Sequence, residues 1–125
     1  MSDLVQALAA SASGMEAQSQ RLRHVSENIA NSDTPGYHRK TISFQETVEG
    51  GVRPGRLQLD RSELQRIFEP GHPLADEDGY HDGSNVDLVI ELADAREAQR
   101  SYEANLRLFD QARQMTDGLF DLIRR

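Results

Sequence analysis

The stretch Asn28-Ile-Ala-Asn-Ser-Asp-Thr-Pro-Gly-Tyr-His-Arg-Lys40 separates two kinds of chain. Before it, apolar residues recur with helical spacing. After it come a short alternating run, prolines and glycines. Asn31 and Ser32 stop helices, because their short polar side chains compete for backbone hydrogen bonds. Thr34-Pro-Gly-Tyr37 then has the form of a type II turn, with Pro35 at the second position and Gly36 at the third, where φ is positive. The stretch ends a long helix and sends the chain into a strand. By turn chemistry alone it is equally an ordinary helix-to-strand connection.

Outward from the turn, residues 3 to about 31 read as one helix. Leu8, Met15, Leu22 and Ile29 recur every seven residues, the spacing of a coiled-coil stripe. Leu4, Ser11, Gln18 and Val25 form the neighbouring seam. The middle is small, from Ala9 to Gly14, so another backbone can come close but little area is buried. Gly14 costs a helix interior roughly 1 kcal/mol relative to Ala. A partner is therefore expected along this helix, which is roughly 43 Å long at the rise of an α-helix.

Residues 87–125 read as a second helix, roughly 58 Å long. Leu88, Ala95, Tyr102, Phe109, Thr116 and Ile123 repeat by sevens. Leu92, Leu106 and Phe120 flank them on one side, and Ala98, Ala112 and Leu119 on the other. Asp87 suits the start, and Arg124-Arg125 suit the end, of such a helix.

Between the helices lie all four prolines: Pro35, Pro54, Pro70 and Pro73. Tyr37 to Phe44 reads as a short strand and Leu57 to Leu59 as its return. Gly50-Gly51, Pro54-Gly55 and Asp78-Gly79 mark turns. The fold class is mainly α: two long terminal helices with a small β-hairpin and loop insertion between them. The segments are 1–36, 37–84 and 85–125.

Each helix carries more than one apolar strip. Two antiparallel helices cover one strip each, so the others are left without a partner in the same molecule. Long exposed apolar strips mark interaction surfaces. The residues expected to form an assembly interface are Leu8, Met15, Leu22 and Ile29 on the first helix. On the second they are Leu88, Leu92, Tyr102, Asn105, Leu106, Phe109 and Phe120. Asn105 within the seam either fixes register or faces solvent. Arg21, Arg23, Arg96 and Arg100 either reach acidic residues of neighbouring subunits or are solvated.

Composition narrows the function classes. The 125 residues have a net charge of −7, a hydrophobic fraction of 37% and a mean hydropathy of −0.67. Such acidity disfavours a general nucleic-acid binder. The absence of cysteine rules out disulfides, thiol catalysis and zinc-thiolate sites. No apolar run reaches the length of a membrane helix. The first residues lack the basic start and apolar core of an ordinary secretory signal.

His72, Asp76, Asp78, His81, Asp82 and Asp87 form an acidic, histidine-bearing group. Aligned on the calcium-loop template, Asp76, Asp78 and Gly79 fit, but Leu74 and Asn85 stand where acids are required. A solvated turn is expected, with no metal, no cofactor and no catalytic residues.

The residues quoted at the outset carry a resemblance. Asn28-Ile-Ala-Asn31 followed by Thr34-Pro-Gly-Tyr-His-Arg39 resembles the N-terminal signature of the flagellar rod and hook family. The turn motif comprises Asn28, Asn31, Thr34, Pro35, Gly36 and Tyr37. Asn85-Val-Asp-Leu-Val-Ile-Glu91 and Arg100-Ser-Tyr-Glu-Ala-Asn105 are similar to the family's second helix. Glu69 to Tyr80, leading into Asn85-Val-Asp87, looks like the proximal rod branch.

The resemblance implies terminal helices packed as a coiled-coil pair and subunits stacked helically into the rod. That rod is the torque-bearing drive shaft crossing the periplasm. It implies other rod proteins (FlgB, FlgF and FlgG), the FliE adaptor and copies of itself as partners. It also implies export through the flagellar type III apparatus without a cleaved signal peptide. Two other classes stay open on the residues alone. One is a small acidic coiled-coil adaptor or secretion chaperone. The other is a metal-dependent enzyme using residues 69–87.

Overall fold

The computed structural model describes residues 2–124; Met1 and Arg125, the outermost residues of the expected end segments, lie outside the described residues. Two helices, α1 (Ser2–Ala30) and α2 (Leu88–Arg124), flank four strands: β1 (Lys40–Glu46), β2 (Val52–Leu59), β3 (Arg66–Phe68) and β4 (Tyr80–Asp82). β1 and β2 pair antiparallel, as do β3 and β4. The mainly α class and the hairpin insertion are as the patterning indicates.

Both helix ends at the junction are built by side chains. Asn31 closes α1: its backbone N–H and its Nδ2 both donate to the Glu27 carbonyl, at 3.0 and 2.8 Å. The type II turn follows, with Gly36 at φ 74° and the Tyr37 N–H donating to the Thr34 carbonyl at 3.2 Å. Asp87 caps α2, its Oδ1 accepting from the Val89 N–H at 3.0 Å, which satisfies one of the free donors of the first turn.

The helices run antiparallel. Gly14 lies against Asn105, Arg21 against Asp94 and Glu97, and Asn28 against Glu91. Their shared seam is not the one with the largest side chains. The buried apolar residues are Ala17, Val25, Val86, Ala98 and Ala112. Buried beside them are Ser11, Asn28 and Glu91. Leu8, Met15, Leu22 and Ile29 are half-buried, while Leu88 and Tyr102 are exposed. The reason is steric. A Cβ on Gly14 would lie 2.6 Å from Asn105 Oδ1, so the backbones approach too closely for large side chains between them.

The same small residues serve a second approach. The β1–β2 hairpin folds back along α1, and the Val52 N–H donates to Ser13 Oγ at 3.0 Å. Gly51 is so near that a Cβ there would meet Ser13 Oγ at 2.7 Å. The Ala9–Gly14 run thus admits α2 on one side and the hairpin tip on another.

One expected turn is not a turn. Pro54-Gly55 lies within β2. The register slips between Ile42, opposite Leu57, and Phe44, opposite Pro54. A bulge of this kind absorbs one extra residue. Gly55 permits it, since a Cβ would stand 2.9 Å from the Ser43 carbonyl oxygen.

Candidate functional site

The turn and the start of α2 meet in a polar junction around Asn28. This residue is 0% exposed and uses both ends of its amide. Its Oδ1 accepts from the Tyr37 hydroxyl and the Lys40 N–H, each at 2.8 Å. Its Nδ2 donates to the Lys40 carbonyl at 3.0 Å and to Glu91 Oε2 at 3.2 Å. A buried amide satisfied on every side joins α1, the turn, β1 and α2 at one point.

Glu91 is likewise 0% exposed. A buried carboxylate needs a cation, and Arg39 supplies it: Nε donates to Glu91 Oε1 at 2.7 Å. The same guanidinium reaches Asp94 Oδ2 at 3.3 Å and Asp60 Oδ2 at 3.7 Å. Burial works to lower the Arg39 pKa, but the bond to Glu91 and the charges of Glu91, Asp94 and Asp60 outweigh it and hold it above its ordinary value. Asp94 also pairs with Arg21, at 3.3 Å. Lys40 pairs with Glu27 at 2.6 Å, which raises the lysine's pKa and lowers the carboxylate's.

Asn85 extends the junction. Its Oδ1 accepts from the Arg39 N–H at 2.6 Å, and its Nδ2 donates to the Asp60 carbonyl at 2.8 Å. The Gly36 N–H donates to the Gly83 carbonyl at 3.1 Å, and the Ser84 hydroxyl donates to the Ser32 carbonyl. The turn is therefore bound across its length to residues 82–85, just ahead of α2.

Away from this junction the large apolar side chains face outward. Leu92 is 57% exposed and Phe120 46%. Leu88, Val89, Tyr102, Leu106, Leu108, Met115 and Ile123 are exposed as well. Of the residues expected at an interface, Leu8, Met15, Leu22, Ile29, Asn105 and Phe109 are half-buried, and the other five on α2 are exposed. Arg21, expected to be solvated or to reach another subunit, is instead paired within the chain. Arg96 and Arg100 are exposed, with no ion-pair partner among the described residues.

Two family models match the two sides of the junction. Residues 8–38 match the flagella basal body rod protein model, and residues 77–122 match the flagellar basal body rod FlgEFG protein C-terminal model. Whole-chain relatives agree. The flagellar basal-body rod protein FlgC of Agrobacterium fabrum is 43% identical over 124 residues, covering 90% of this chain and 89% of that protein. The FlgC protein of Aquifex aeolicus is 36% identical over 132 residues, covering 97% and 98%. That of Escherichia coli O6:H1 is 36% identical over 114 residues, covering 82% and 85%.

The chain belongs to the FlgC family of flagellar basal-body rod proteins.

In this FlgC-family chain the first match ends at residue 38, inside the junction, and the second begins at residue 77, ahead of it. The first carries Asn28, Tyr37 and the rest of the turn, the second carries Asn85, Glu91 and Asp94, and Arg39, Lys40 and Asp60 lie between the two. The motifs bring out the turn residues, Arg39 and Glu91 one by one, but neither their meeting nor the part played by Asp94 and Asp60. For Glu91 the available signal is a charged residue on an otherwise small, buried seam.

The acidic, histidine-bearing group divides. His72 and His81 stack with ring centroids 3.9 Å apart and planes 7° from parallel. With Glu69 they bring one possible ligand atom each within 4.8 Å of the others. Ring lone pairs lie in the ring planes, and nearly parallel stacked planes do not meet at a shared ion. His72 Nδ1 is moreover engaged by the Leu74 N–H at 3.1 Å. Asp76 does turn work: Oδ1 accepts from the Asp78 and Tyr80 N–H groups, both at 3.0 Å, and Oδ2 pairs with Arg66.

Proposed function

We propose that the protein is a structural subunit of the flagellar basal-body proximal rod, the drive shaft that transmits torque, and that it works by helical assembly rather than by catalysis. The observation that carries this reading is the inverted distribution of apolar side chains. The buried seam of the two helices holds Gly, Ala, Ser, Asn and Glu together with Val25, while Leu88, Leu92, Tyr102, Leu106, Phe120 and Ile123 are exposed along α2. A molecule built this way buries its largest side chains only against neighbours. Contacts that repeat without closing a ring generate a helical tube.

In this reading residues 1–36 and 85–125 form the rod core, and 37–84 form the hairpin and loop insertion. Leu8, Met15, Leu22 and Ile29 with Leu88, Leu92, Tyr102, Leu106, Phe109 and Phe120 face other subunits. Asn105 sets the register of the two helices. The neighbours are FlgB, FlgF and FlgG, the FliE adaptor and further copies of this chain. The subunit travels through the flagellar type III export apparatus and comes to lie in the periplasmic rod, with no signal peptide removed. The turn motif around Asn28 locks the two helices into the shape that assembly requires.

The test is to replace the chromosomal copy with an epitope-labelled one and purify basal bodies. Label in the rod and loss of swimming on deletion are expected. A protein absent from basal bodies, isolated instead as a discrete cytoplasmic dimer, overturns the reading in favour of an adaptor or chaperone.

A further inference from the structure

The two helices differ in length, 29 residues against 37. Gly14 lies against Asn105 and Asn28 against Glu91, fourteen residues apart on each helix. Continued in that register, the start of α1 is level with Thr116 and Asp117. Residues 118–124 of α2 therefore project about 10 Å past their partner helix at the rise of an α-helix. The projection is apolar: Leu119, Phe120, Leu122 and Ile123 are all exposed.

One face of the projection joins charge to an aromatic ring. Asp117, Phe120, Asp121 and Arg124 follow the i, i+3, i+4, i+7 spacing of a single helix face. Near the other end of α2, Val89, Leu92, Ala93, Arg96, Glu97 and Arg100 line an open depression of about 600 Å³ on one helix face, where Glu97 is already paired with Arg21 of the same chain at 3.2 Å. Arg96 and Arg100 stand four residues apart, as Asp117 and Asp121 do. None of the four has an ion-pair partner among the described residues.

We infer that the C-terminal projection of one copy docks on the Val89–Arg100 face of the next copy of the same chain. Phe120 enters the groove floored by Val89, Leu92 and Ala93. Asp117 and Asp121 pair with the next copy's Arg96 and Arg100. The occupant is a second copy because both halves of the match, in charge sign, in spacing and in anchor and groove, lie at opposite ends of one helix. A contact between opposite ends repeats head to tail, and it builds a helical filament where the rotation between copies does not close a ring. A central aromatic anchor rimmed by charge is the usual anatomy of an energetically dominant contact.

This inference rests on the rod-subunit reading and adds one of its contacts. The test reverses charges in cells whose own copy is replaced. Arg96→Glu with Arg100→Glu, or Asp117→Arg with Asp121→Arg, juxtaposes like charges and cuts the amount of subunit in purified basal bodies about tenfold or more. All four reversals together restore it. The chain has no cysteine, so Ala93→Cys and Phe120→Cys copies expressed together also report the contact. An oxidised adduct of two copies of this chain is expected.

An adduct with a different polypeptide, no adduct, or no restoration by the fourfold reversal overturns this contact. Those results leave the rod reading intact when the unmutated chain is found in basal bodies. Absence of the unmutated chain from basal bodies overturns both.

Discussion

Gly14 and Asn105 meet with no room for a side chain on the glycine: a Cβ there would stand 2.6 Å from Asn105 Oδ1 and 2.7 Å from its Cγ. Asn105 cannot easily withdraw, because its Nδ2 donates to the Ser101 carbonyl at 2.8 Å. Gly14→Ala gains roughly 1 kcal/mol of helix propensity but forces apart a close contact, which costs about 1–3 kcal/mol. A net loss of about 1 kcal/mol, or about 4 °C in Tm, is expected. Adding Asn105→Ala to Gly14→Ala removes the clash, so the propensity gain is realised and the double variant melts about 4 °C above Asn105→Ala alone. Thermal melts of the four proteins in this cycle check it, and simple additivity of the two changes would show that the contact is not coupled.

Arg39 and Glu91 give an ordered set of stabilities. Arg39→Ala leaves a fully buried carboxylate without its cation and costs about 3–5 kcal/mol. Glu91→Leu is milder, because Arg39 keeps Asp94 and Asp60. Arg39→Met combined with Glu91→Leu is also milder than Arg39→Ala, since no buried charge is left alone. Urea titrations followed by far-UV circular dichroism rank the three, and Arg39→Ala emerging as the mildest would contradict the burial of Glu91.

Tyr37 and Asn28 separate one bond from a whole junction. Tyr37→Phe removes a single hydroxyl bond and costs about 1 kcal/mol. Asn28→Ala deprives the Lys40 N–H, the Tyr37 hydroxyl and Glu91 of a partner together. Each buried group left unpaired costs about 1–3 kcal/mol. The alanine variant is expected to lose helicity at room temperature while Tyr37→Phe remains folded. Equal effects from the two would show that the amide's other bonds carry no weight.

Acid weakens the β3–β4 loop and the Glu27–Lys40 link. The Asp76 carboxyl is held below its ordinary value of 3.8 by the Tyr80 N–H and then by Arg66. Asp60 is held down chiefly by the Ser62 N–H, and Glu27, ordinarily at 4.5, by Lys40. A lowered folded-state pKa means that the unfolded chain binds the proton more readily. The stabilisation is complete above these ordinary values and is lost as pH falls below them through the folded-state values. Tm should be flat from about pH 6 to 8 on the carboxylates' account and drop below about pH 4. Asp76→Asn should flatten part of that drop, and an unchanged acid limb in that variant would remove Asp76 from the explanation.

Much of this architecture was legible in the chain itself, and the part that was not has a common cause. The helix limits and the type II turn follow from Asn31, Pro35, Gly36 and Asp87, whose effects are local. The membership of the buried seam was not legible. Heptad reading favours the largest side chains, Leu8 or Tyr102, whereas the close approach at Gly14 selects the smallest. Pro54-Gly55 looked like a turn because a bulge depends on Ser43 across the ladder, which spacing does not reveal. The three-residue strands β3 and β4 are too short for any period to register. The Asn28–Glu91–Arg39 cluster joins residues 11 to 63 positions apart in the sequence. Its members were visible singly, but their meeting was not.

The junction around Asn28 also makes the molecule mechanically lopsided. Ion pairs and amide bonds cluster at the pole where α1 ends and α2 begins, while the opposite pole is held by alanine, serine and glycine contacts. Amide exchange should be slowest near Val25 and Ala98 and quicken steadily toward Asp3 and Leu122. A subunit of this kind reaches its neighbours with one stiff end that dictates orientation and one compliant end that can adjust to whatever surface it meets.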